Sequence, residues 1–357
     1  MIIVVADDFT GAAELAGIAL RYGLSLKICG VNEIEATCNN ENGCIVNTNS
    51  RSLEKNIALA QTKKTITAIM QYQPSLLYKK IDSVLRGYVV DELKVQMELM
   101  DKLSALVVPS NPSLGRTIKD GIMYIQGVPV ADTDFCNDPE FPITQSNVER
   151  ILNDNTVHIV EPNSTITTGI SVAAVNTAVD ITNFANHVHD AQLLAGAGDF
   201  FTALLATKYR SIDTQAPILL SPFLFVAGSA FSEARERILK WKKDAIAITS
   251  IDDYFECITT SKDKYVLAIK ENCSSITATD LRTAMAKQVQ ILISDLGIKE
   301  ICIEGGSTAA SILEVCGITT LTPTHELARG LVRMHAADLF ITVKPGSYRL
   351  PTDLIQP

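Results

Sequence analysis

Short, wholly apolar runs alternate with longer stretches of helical spacing through the first half of the chain. Ile2–Ala6 is apolar at every position, as a strand buried on both faces requires. The polar turn Asp7-Asp8-Phe9-Thr10-Gly11 follows, and helical spacing then runs over Ala12–Tyr22 to Gly23, a C-capping residue. The same alternation predicts strands at Ser25–Cys29, Cys44–Asn47, Leu76–Ile81 and Ala105–Val108, and helices over Leu53–Tyr72 and Val89–Leu103. Asn111–Asp134, punctuated by Gly115, Gly121 and Gly127, reads as a loop plus a β-hairpin. A helix near Ser146–Leu152, strands near Val157–Val160 and Ile170–Val175, and helices near Ile181–Asp190 and Asp199–Thr207 complete this half.

Lys208–Pro217 is polar and helix-poor, the character of a linker. A second alternation follows it. The apolar stretch Ile218–Ala227 leads to a helix over Glu233–Lys243, strands near Ala245–Ser250 and Lys264–Ile269, and a long helix over Thr277–Leu296. A strand at Glu300–Ile303, a helix over Ala309–Val315 and a strand at Asp338–Val343 end the pattern. Two α/β domains are expected, residues 1–207 and 218–357 with the linker at 208–217. Each is doubly wound around a mostly parallel sheet, with a ligand cleft between them. A length of 357 residues, more than one core usually organises, agrees with two domains.

Parallel sheets place their ligand loops at the carboxyl ends of the strands. Polar residues crowd those ends here: Asp7, Asp8 and Thr10; Asn47, Asn49, Ser50 and Arg51; Lys79, Lys80, Asp82, Ser83 and Arg86; Asn111, Arg116 and Thr117. Several cations and several carboxylates on one edge suit a polyhydroxylated anion. Lys80 and Arg86 could hold a carboxylate, Arg with a bidentate grip. Asp8 or Asp82 could bind hydroxyls and accept a proton. Read one at a time, Asp8 and Thr10 are equally explained as helix caps.

The second half carries three short glycine turns, Ala227-Gly228-Ser229, Gly305-Gly306-Ser307-Thr308-Ala309 and Lys344-Pro345-Gly346. Glycines between a strand and a helix let backbone N–H groups and the positive helix end approach a phosphate, and Ser307 and Thr308 add hydroxyls. An ordinary strand–turn–helix with a Ser cap explains the same spacing. No GxxxxGK[ST] motif occurs, and Gly196-Ala197-Gly198 lacks the third glycine of a dinucleotide fingerprint.

A net charge of −9 argues against a nucleic-acid partner. The eight cysteines include no CxxC pair, and several lie in apolar runs, so they read as buried structural thiols of a reducing compartment. The first residues lack the basic region of a signal peptide, and no apolar stretch is long enough to span a bilayer. A cytoplasmic protein that touches no membrane is expected.

Four segments together resemble the four-carbon acid sugar kinase family: ADDFTGA at Ala6–Ala12, TNSR at Thr48–Arg51, KKIDSVLRG at Lys79–Gly87, and the glycine-rich run Pro112–Thr133 ending in VPVADT. The GS, GGST and KPG turns follow in the family's order, so the resemblance spans residues 1 to about 348. It implies an N-terminal acid-sugar domain, a C-terminal ATP domain, MgATP as phosphoryl donor and an acid sugar such as threonate, erythronate or 3-oxo-tetronate as acceptor. By matching position it implies ATP at Ser229, Gly305, Gly306, Ser307, Thr308 and Gly346. It implies the sugar acid near Asp8, Arg51, Lys80, Asp82, Arg86 and Arg116. The strand-end reading adds Asp7, Thr10, Ser83 and Asn111 as substrate contacts and takes Asp8 or Asp82 as the base, Asp8 being favoured by the helix start beside it; a homodimer is allowed. Val84 stands where Thr is usual in the family, and Ser347-Tyr348-Arg349 replaces Gly-Phe-Gly after Gly346. A sugar-acid-binding protein without turnover is the alternative that these departures raise. A lyase or aldolase using Lys80 covalently is another.

Overall fold

The apolar run at the start of the chain forms β1 (Ile2–Ala6), with all five residues buried. The computed structural model describes residues 1–39, 42–138, 141–189, 192–213, 215–228, 232–270, 276–346, 348 and 350–351. It divides into two compact units, Met1–Ile212 and Asp213–Pro357. In the first, β1 is followed by α1 (Phe9–Leu20), β2 (Lys27–Cys29), α2 (Ile34–Thr37), β3 (Gly43–Asn47), α3 (Lys55–Ile69), β4 (Leu76–Lys80), α4 (Val89–Leu99) and β5 (Ser104–Val108). Then come β6 (Arg116–Lys119), β7 (Ile122–Ile125), β8 (Val128–Pro129), α5 (Val148–Leu152), β9 (Val157–Val160), β10 (Gly169–Ala173), α6 (Ala178–Asn186), β11 (Gln192–Gly196) and α7 (Gly198–Ala206).

The first unit's main sheet has the order β2-β3-β1-β4-β11-β5-β10-β9, and every adjacent pair is parallel. Such a sheet needs cover on both faces. Along β4 the cover alternates. Tyr78 meets Phe200 and Phe201 of α7 at ring-centroid distances of 6.1 and 5.1 Å, whereas Lys79 pairs with Glu92 of α4 on the other face. The expected hairpin is a separate three-stranded antiparallel sheet, β6-β7-β8. It packs through Ile118 and Met123 on the cluster that holds Leu93 and Val107.

Register sets the edge that matters. Ala6 is level with Asn47 and Lys80, Lys80 with Gly196, and Gly196 with Val108. The carboxyl ends of β3, β1, β4, β11 and β5 therefore form one line. From β1 the chain passes to β2 and β3 on one side and later to β4 on the other. The strand order reverses at β1, the position that open α/β sheets give to ligands.

The apolar pattern does not predict β11, a strand with only two large apolar side chains, Leu193 and Leu194. Its glycine has a steric reason: a Cβ on Gly196 would lie 2.4 Å from the Val108 carbonyl oxygen and 2.7 Å from the Tyr78 hydroxyl. Gly196→Ala is expected to cost about 1–3 kcal/mol by overpacking. A fall in the urea midpoint at constant m-value checks this.

One expectation about the cysteines is corrected. Cys38, just after α2, and Cys44 of β3 form a disulfide with a Cα–Cα distance of 5.3 Å, so these two are not free thiols. They stand six positions apart in the sequence, a spacing that alone does not reveal the pairing. Cys29, Cys136, Cys257, Cys302 and Cys316 are free. Among the described residues, no helix is long and apolar enough to cross a membrane.

The second unit runs β12 (Phe223–Ala227), α8 (Ser232–Lys243), β13 (Ala247–Ser250), β14 (Phe255–Ser261), β15 (Lys264–Ile269), α9 (Ala278–Asp295), β16 (Glu300–Glu304), α10 (Gly306–Val315), β17 (Thr320–Ala328), β18 (Leu331–Ala336) and β19 (Leu339–Lys344). Its strand order is β13-β14-β15-β12-β16-β19-β18-β17. The four central strands are parallel, and the flanking pairs are antiparallel, so this sheet is mixed. Of the apolar stretch from residue 218 to 227, only the last five residues form a strand, and Ile218 is 89% exposed. β14, β17 and β18 escape the apolar pattern because polar residues interrupt them. β17 even contains Pro323, which ordinarily argues against a strand. Arg333 of β18 is buried by a bidentate pair with Glu300 (2.6 and 2.9 Å) and lies 3.6 Å above the Phe340 ring.

Candidate functional site

The loop after β3 is held against β1 before any side chain reaches the site. The Thr48 N–H and hydroxyl both donate to the Ala6 carbonyl at 2.9 Å, and the Arg51 N–H donates to the Asp7 carbonyl at 3.2 Å. Arg51 thereby arrives among three carboxylates. Its Nε and Nη2 grip Asp7 at 2.9 and 2.8 Å, Nη2 also reaches Asp8 at 2.9 Å, and Nη1 stands 3.6 Å from Asp82. Asp8 is the N-cap of α1, accepting the Gly11 N–H at 3.1 Å on Oδ1 while the Thr10 hydroxyl donates to Oδ2. Asp8 is thus a cap and also a member of the charged cluster, whereas Thr10 lies inside the first turn of α1, supports Asp8 and caps no backbone N–H itself.

After β4, the Asp82 carboxylate accepts the N–H groups of Val84 and Arg86 at 3.3 and 3.2 Å and takes Arg86 Nε and Nη2, each at 2.8 Å. This hook needs Leu85 in the left-handed region, φ +65°, a conformation that costs a bulky residue about 1–3 kcal/mol. Arg86 Nη1 reaches Asp138 at 2.6 Å. Arg116 donates through Nη1 to the Ser83 hydroxyl. The Arg86 and Arg116 guanidinium groups lie 5.4 and 5.5 Å from the centroid of the same ring, Phe135. Lys80 donates to the Ile81 carbonyl at 3.0 Å and lies 3.4 Å from Glu14 of α1. Asn111 is buried at the same edge, but its Oδ1 accepts the Asp199 N–H of α7 at 2.9 Å.

Asp7, Asp8, Arg51, Lys80, Asp82, Ser83, Arg86 and Asn111 lie at or just beyond the ends of β1, β3, β4 and β5, with Thr10 in the first turn of α1, and Arg116 reaches Ser83 from the start of β6. The sequence reading misses Glu14, Phe135 and Asp138. Glu14 had a signal: it is the single acid in FTGAAELAGIAL, a helix otherwise of small, apolar and Thr residues. Asp138 had none, because its partner stands 52 residues earlier. Arg51, Lys80, Arg86 and Arg116 face Asp7, Asp8, Glu14, Asp82 and Asp138, leaving one formal negative charge in excess.

The three aspartates differ. Burial pushes Asp7 up against the pull of Arg51. Burial acts the same way on Asp8, but Arg51, Lys80 and the Thr10 hydroxyl outweigh it and hold Asp8 below the usual carboxylate range. Asp82 is held well below that range, its burial overcome by Arg86 and Arg51. The Asp8 side chain is 20% exposed, against 5% for Asp7 and 8% for Asp82. Of the three, Asp8 is best able to meet a ligand.

In the second unit, Ala227, Glu304 and Lys344 stand level at the ends of β12, β16 and β19, so the three glycine turns leave one edge together. Gly305 has φ +106°, a conformation open chiefly to glycine, and α10 begins at Gly306. A Cβ on Gly228 would lie 2.3 Å from the Thr308 hydroxyl oxygen, so the first turn abuts the second. Glu304, also missed from sequence, is 1% exposed and takes Arg237 on one oxygen and Lys344 on the other at 2.7 Å. Lys344 Nζ also donates to the Pro345 and Gly346 carbonyls at 3.1 and 3.2 Å. The carbonyls of the third turn converge on the Lys344 ammonium, and β16 passes through Gly305 into the ten-residue α10, whose first main-chain N–H groups have no partner within the helix and can meet an anion. Gly305, Gly306, Ser307, Thr308 and Gly346 lie along this edge; Ser229 lies outside the described residues.

The sequence profile of a family described as "Sugar-binding N-terminal domain" matches residues 2–234. A D-threonate kinase of Salmonella typhimurium is 28% identical over 151 residues, which cover 42% of this chain and 36% of that protein. The chain thus matches only about a third of that relative. A 3-oxo-tetronate kinase of Pseudomonas savastanoi pv. phaseolicola is 21% identical over 400 aligned positions, covering 96% of this chain and 93% of that one. A solved structure from Salmonella typhimurium LT2, labelled a tRNA synthase, superposes with a TM-score of 0.79 at 16% identity, covering 98% and 96% of the two chains. That likeness speaks for the fold alone.

Proposed function

The chain belongs to the sugar-binding N-terminal domain family, the four-carbon acid sugar kinase family that its motifs resemble, and we propose that it transfers the γ-phosphoryl group of ATP to a hydroxyl of a four-carbon acid sugar. The observation that carries this reading is the buried cluster at the reversal point of the first sheet. Four cations, Arg51, Lys80 and Arg86 paired with carboxylates and Arg116 with the Ser83 hydroxyl, can meet both the carboxylate and the hydroxyls of a sugar acid. The names of the relatives, threonate and 3-oxo-tetronate kinase, support the substrate class.

Phosphoryl transfer asks chiefly for positioning and charge neutralisation. In this reading residues 1–207 hold the acid and 218–357 the nucleotide. Arg86 and Arg116 orient the carboxylate, Lys80 lies beside the acceptor, and Asp8 takes the proton of the attacking hydroxyl. Asp82 is the poorer base, since both its oxygens are engaged by Arg86. The N–H groups at the start of α10 hold the phosphates. Mg2+ binds nucleotide phosphates while keeping several waters, and it would neutralise charge on them. Among the described residues no group of three or more His, Cys, Asp or Glu is arranged to hold a metal ion, so this chain's share is to hold the phosphates that carry it.

The test is ATP consumption by the full chain with D-threonate, D-erythronate and 3-oxo-tetronate. Turnover of at least one is expected; sugar-acid binding without turnover of any would leave the binding-protein reading. Gly306→Trp fills the start of α10 and is expected to weaken ADP binding by about tenfold, or 1.4 kcal/mol. Unchanged affinity would place the phosphates elsewhere.

A further inference from the structure

The three glycine turns of the second unit leave one edge, and one buried residue meets all three. Glu304 ends β16, so its main chain leads straight into the second turn at Gly305. The first turn presses on it: a Cβ on Gly228 would lie 2.7 Å from the Glu304 carbonyl oxygen. Its Oε1 takes Lys344, which opens the third turn, at 2.7 Å. Its Oε2 takes Arg237 of α8, the helix that follows the first turn. The Arg237 guanidinium lies 5.6 Å from the ring centroid of Phe225 and 5.4 Å from that of Trp241. Both rings belong to one buried apolar cluster, so the carboxylate is tied to a fixed point in the core.

Lys344 is committed just as fully. Three acceptors, Glu304 and the carbonyls of Pro345 and Gly346, stand around its three N–H donors, and its side chain is 2% exposed. The ammonium is therefore satisfied within the protein and is not a phosphate ligand. The Gly305 N–H donates to the Lys344 carbonyl at 3.0 Å, which joins the second turn to the third, and the Tyr348 N–H closes the third turn on Pro345 at 3.1 Å. In a trans peptide the C=O and the next N–H point in opposite directions. Aiming the Pro345 carbonyl at the ammonium thus turns the Gly346 N–H away from it.

We propose that Glu304 is the positioning residue of the nucleotide edge. By holding Lys344 on one oxygen and Arg237 on the other, it fixes the third turn beside the start of α10, so that the Gly346 N–H and the first N–H groups of α10 are presented together to a nucleotide phosphate. Glu304 and Lys344 act through the turns and do not touch the phosphate. This inference rests on the reading that the second unit binds the nucleotide.

The same strand supplies the control. Glu300, at the other end of β16, is also fully buried and also paired, with Arg333 at 2.6 and 2.9 Å. Glu304→Gln keeps the shape of the side chain and removes its charge. Calorimetric titration of the full chain with ADP is expected to give about tenfold weaker binding, the scale of one hydrogen bond to a charged group. Glu300→Gln should also lower stability, yet leave ADP affinity within about twofold of wild type, because it is remote from the turns. Lys344→Gln, whose amide can donate to the turn carbonyls but brings no charge to Glu304, should weaken ADP binding as Glu304→Gln does, and serves if that variant does not fold. Wild-type ADP affinity in either folded variant overturns the inference and leaves the nucleotide reading standing. An equal loss in Glu300→Gln, or failure of both edge variants to fold, overturns it too, since Glu304 would then serve stability alone. If the wild type binds no ADP, the nucleotide reading falls and the inference with it.

Discussion

Asp8→Asn is expected to lower kcat with the acid sugar that the chain turns over by about 10²–10⁴-fold, the usual contribution of a general base. Asparagine is as good an N-cap as aspartate, so α1 should keep its start; the lost pairing with Arg51 and Lys80 lowers the melting temperature, so kcat is read at a temperature where the variant is shown to be folded. The loss then belongs to the proton and not to the fold. Asp8 is held below the usual carboxylate range by Arg51, Lys80 and Thr10. It is therefore ionised across the neutral range, and the acid limb of kcat/KM due to this group should lie below the ordinary aspartate value of about 3.9. Loose phosphoryl transfer needs placement of the hydroxyl more than a strong base, so a low pKa is no obstacle. A variant with kcat within tenfold of wild type would remove Asp8 from the role.

Arg51→Met is expected to cost about 3–5 kcal/mol, the usual penalty for removing one partner from a buried ionic group. Asp7, Asp8 and Asp82 lose the cation that joins them, and methionine fills much of the side-chain volume without restoring charge. The pH dependence gives the sign. In the wild type, Asp82 has a depressed folded pKa, so its stabilisation is present above the unfolded value and is lost as pH falls through the folded one. In the variant, burial without Arg51 raises the carboxyl pKa values. The penalty is then greatest at neutral pH and eases as the pH falls toward about 3.9. Urea midpoints at pH 7.5 and 5 check this: the deficit of the variant should narrow at pH 5, and a deficit that widens there would contradict the shared-cation account.

Much of the first unit is legible because its strands announce themselves. Runs such as Ile2–Ala6 and Ala105–Val108 cannot be surface, and the polar residues directly after them can only lie at a strand end. Local signals fail where pairing partners are distant. β11 is invisible because its reason, a glycine pressed against the Val108 carbonyl, belongs to the assembled sheet. β17 and β18 hide behind Pro323, His325 and Arg333, and Arg333 is acceptable in a strand only because Glu300 receives it. The cation side of the site was readable from Lys80, Arg86 and Arg116. The acids that balance it were less so, because Glu14 and Asp138 come from segments whose own patterns speak only of helix and turn.

Lys79 and Lys80 are neighbours in sequence with opposite fates. One is sealed against Glu92 under α4, and the other lies beside Glu14 and Ile81 at the ligand edge. Only the two-residue repeat of a strand separates them. A one-residue deletion ahead of them within β4 would therefore move Lys80 into the place of Lys79 and Lys79 into that of Tyr78 against α7, leaving no ammonium at the ligand edge. A gain or loss of length in the β6–β7 turn shifts no such parity. Tolerance to indels, more than tolerance to substitutions, should trace the outline of the active edge.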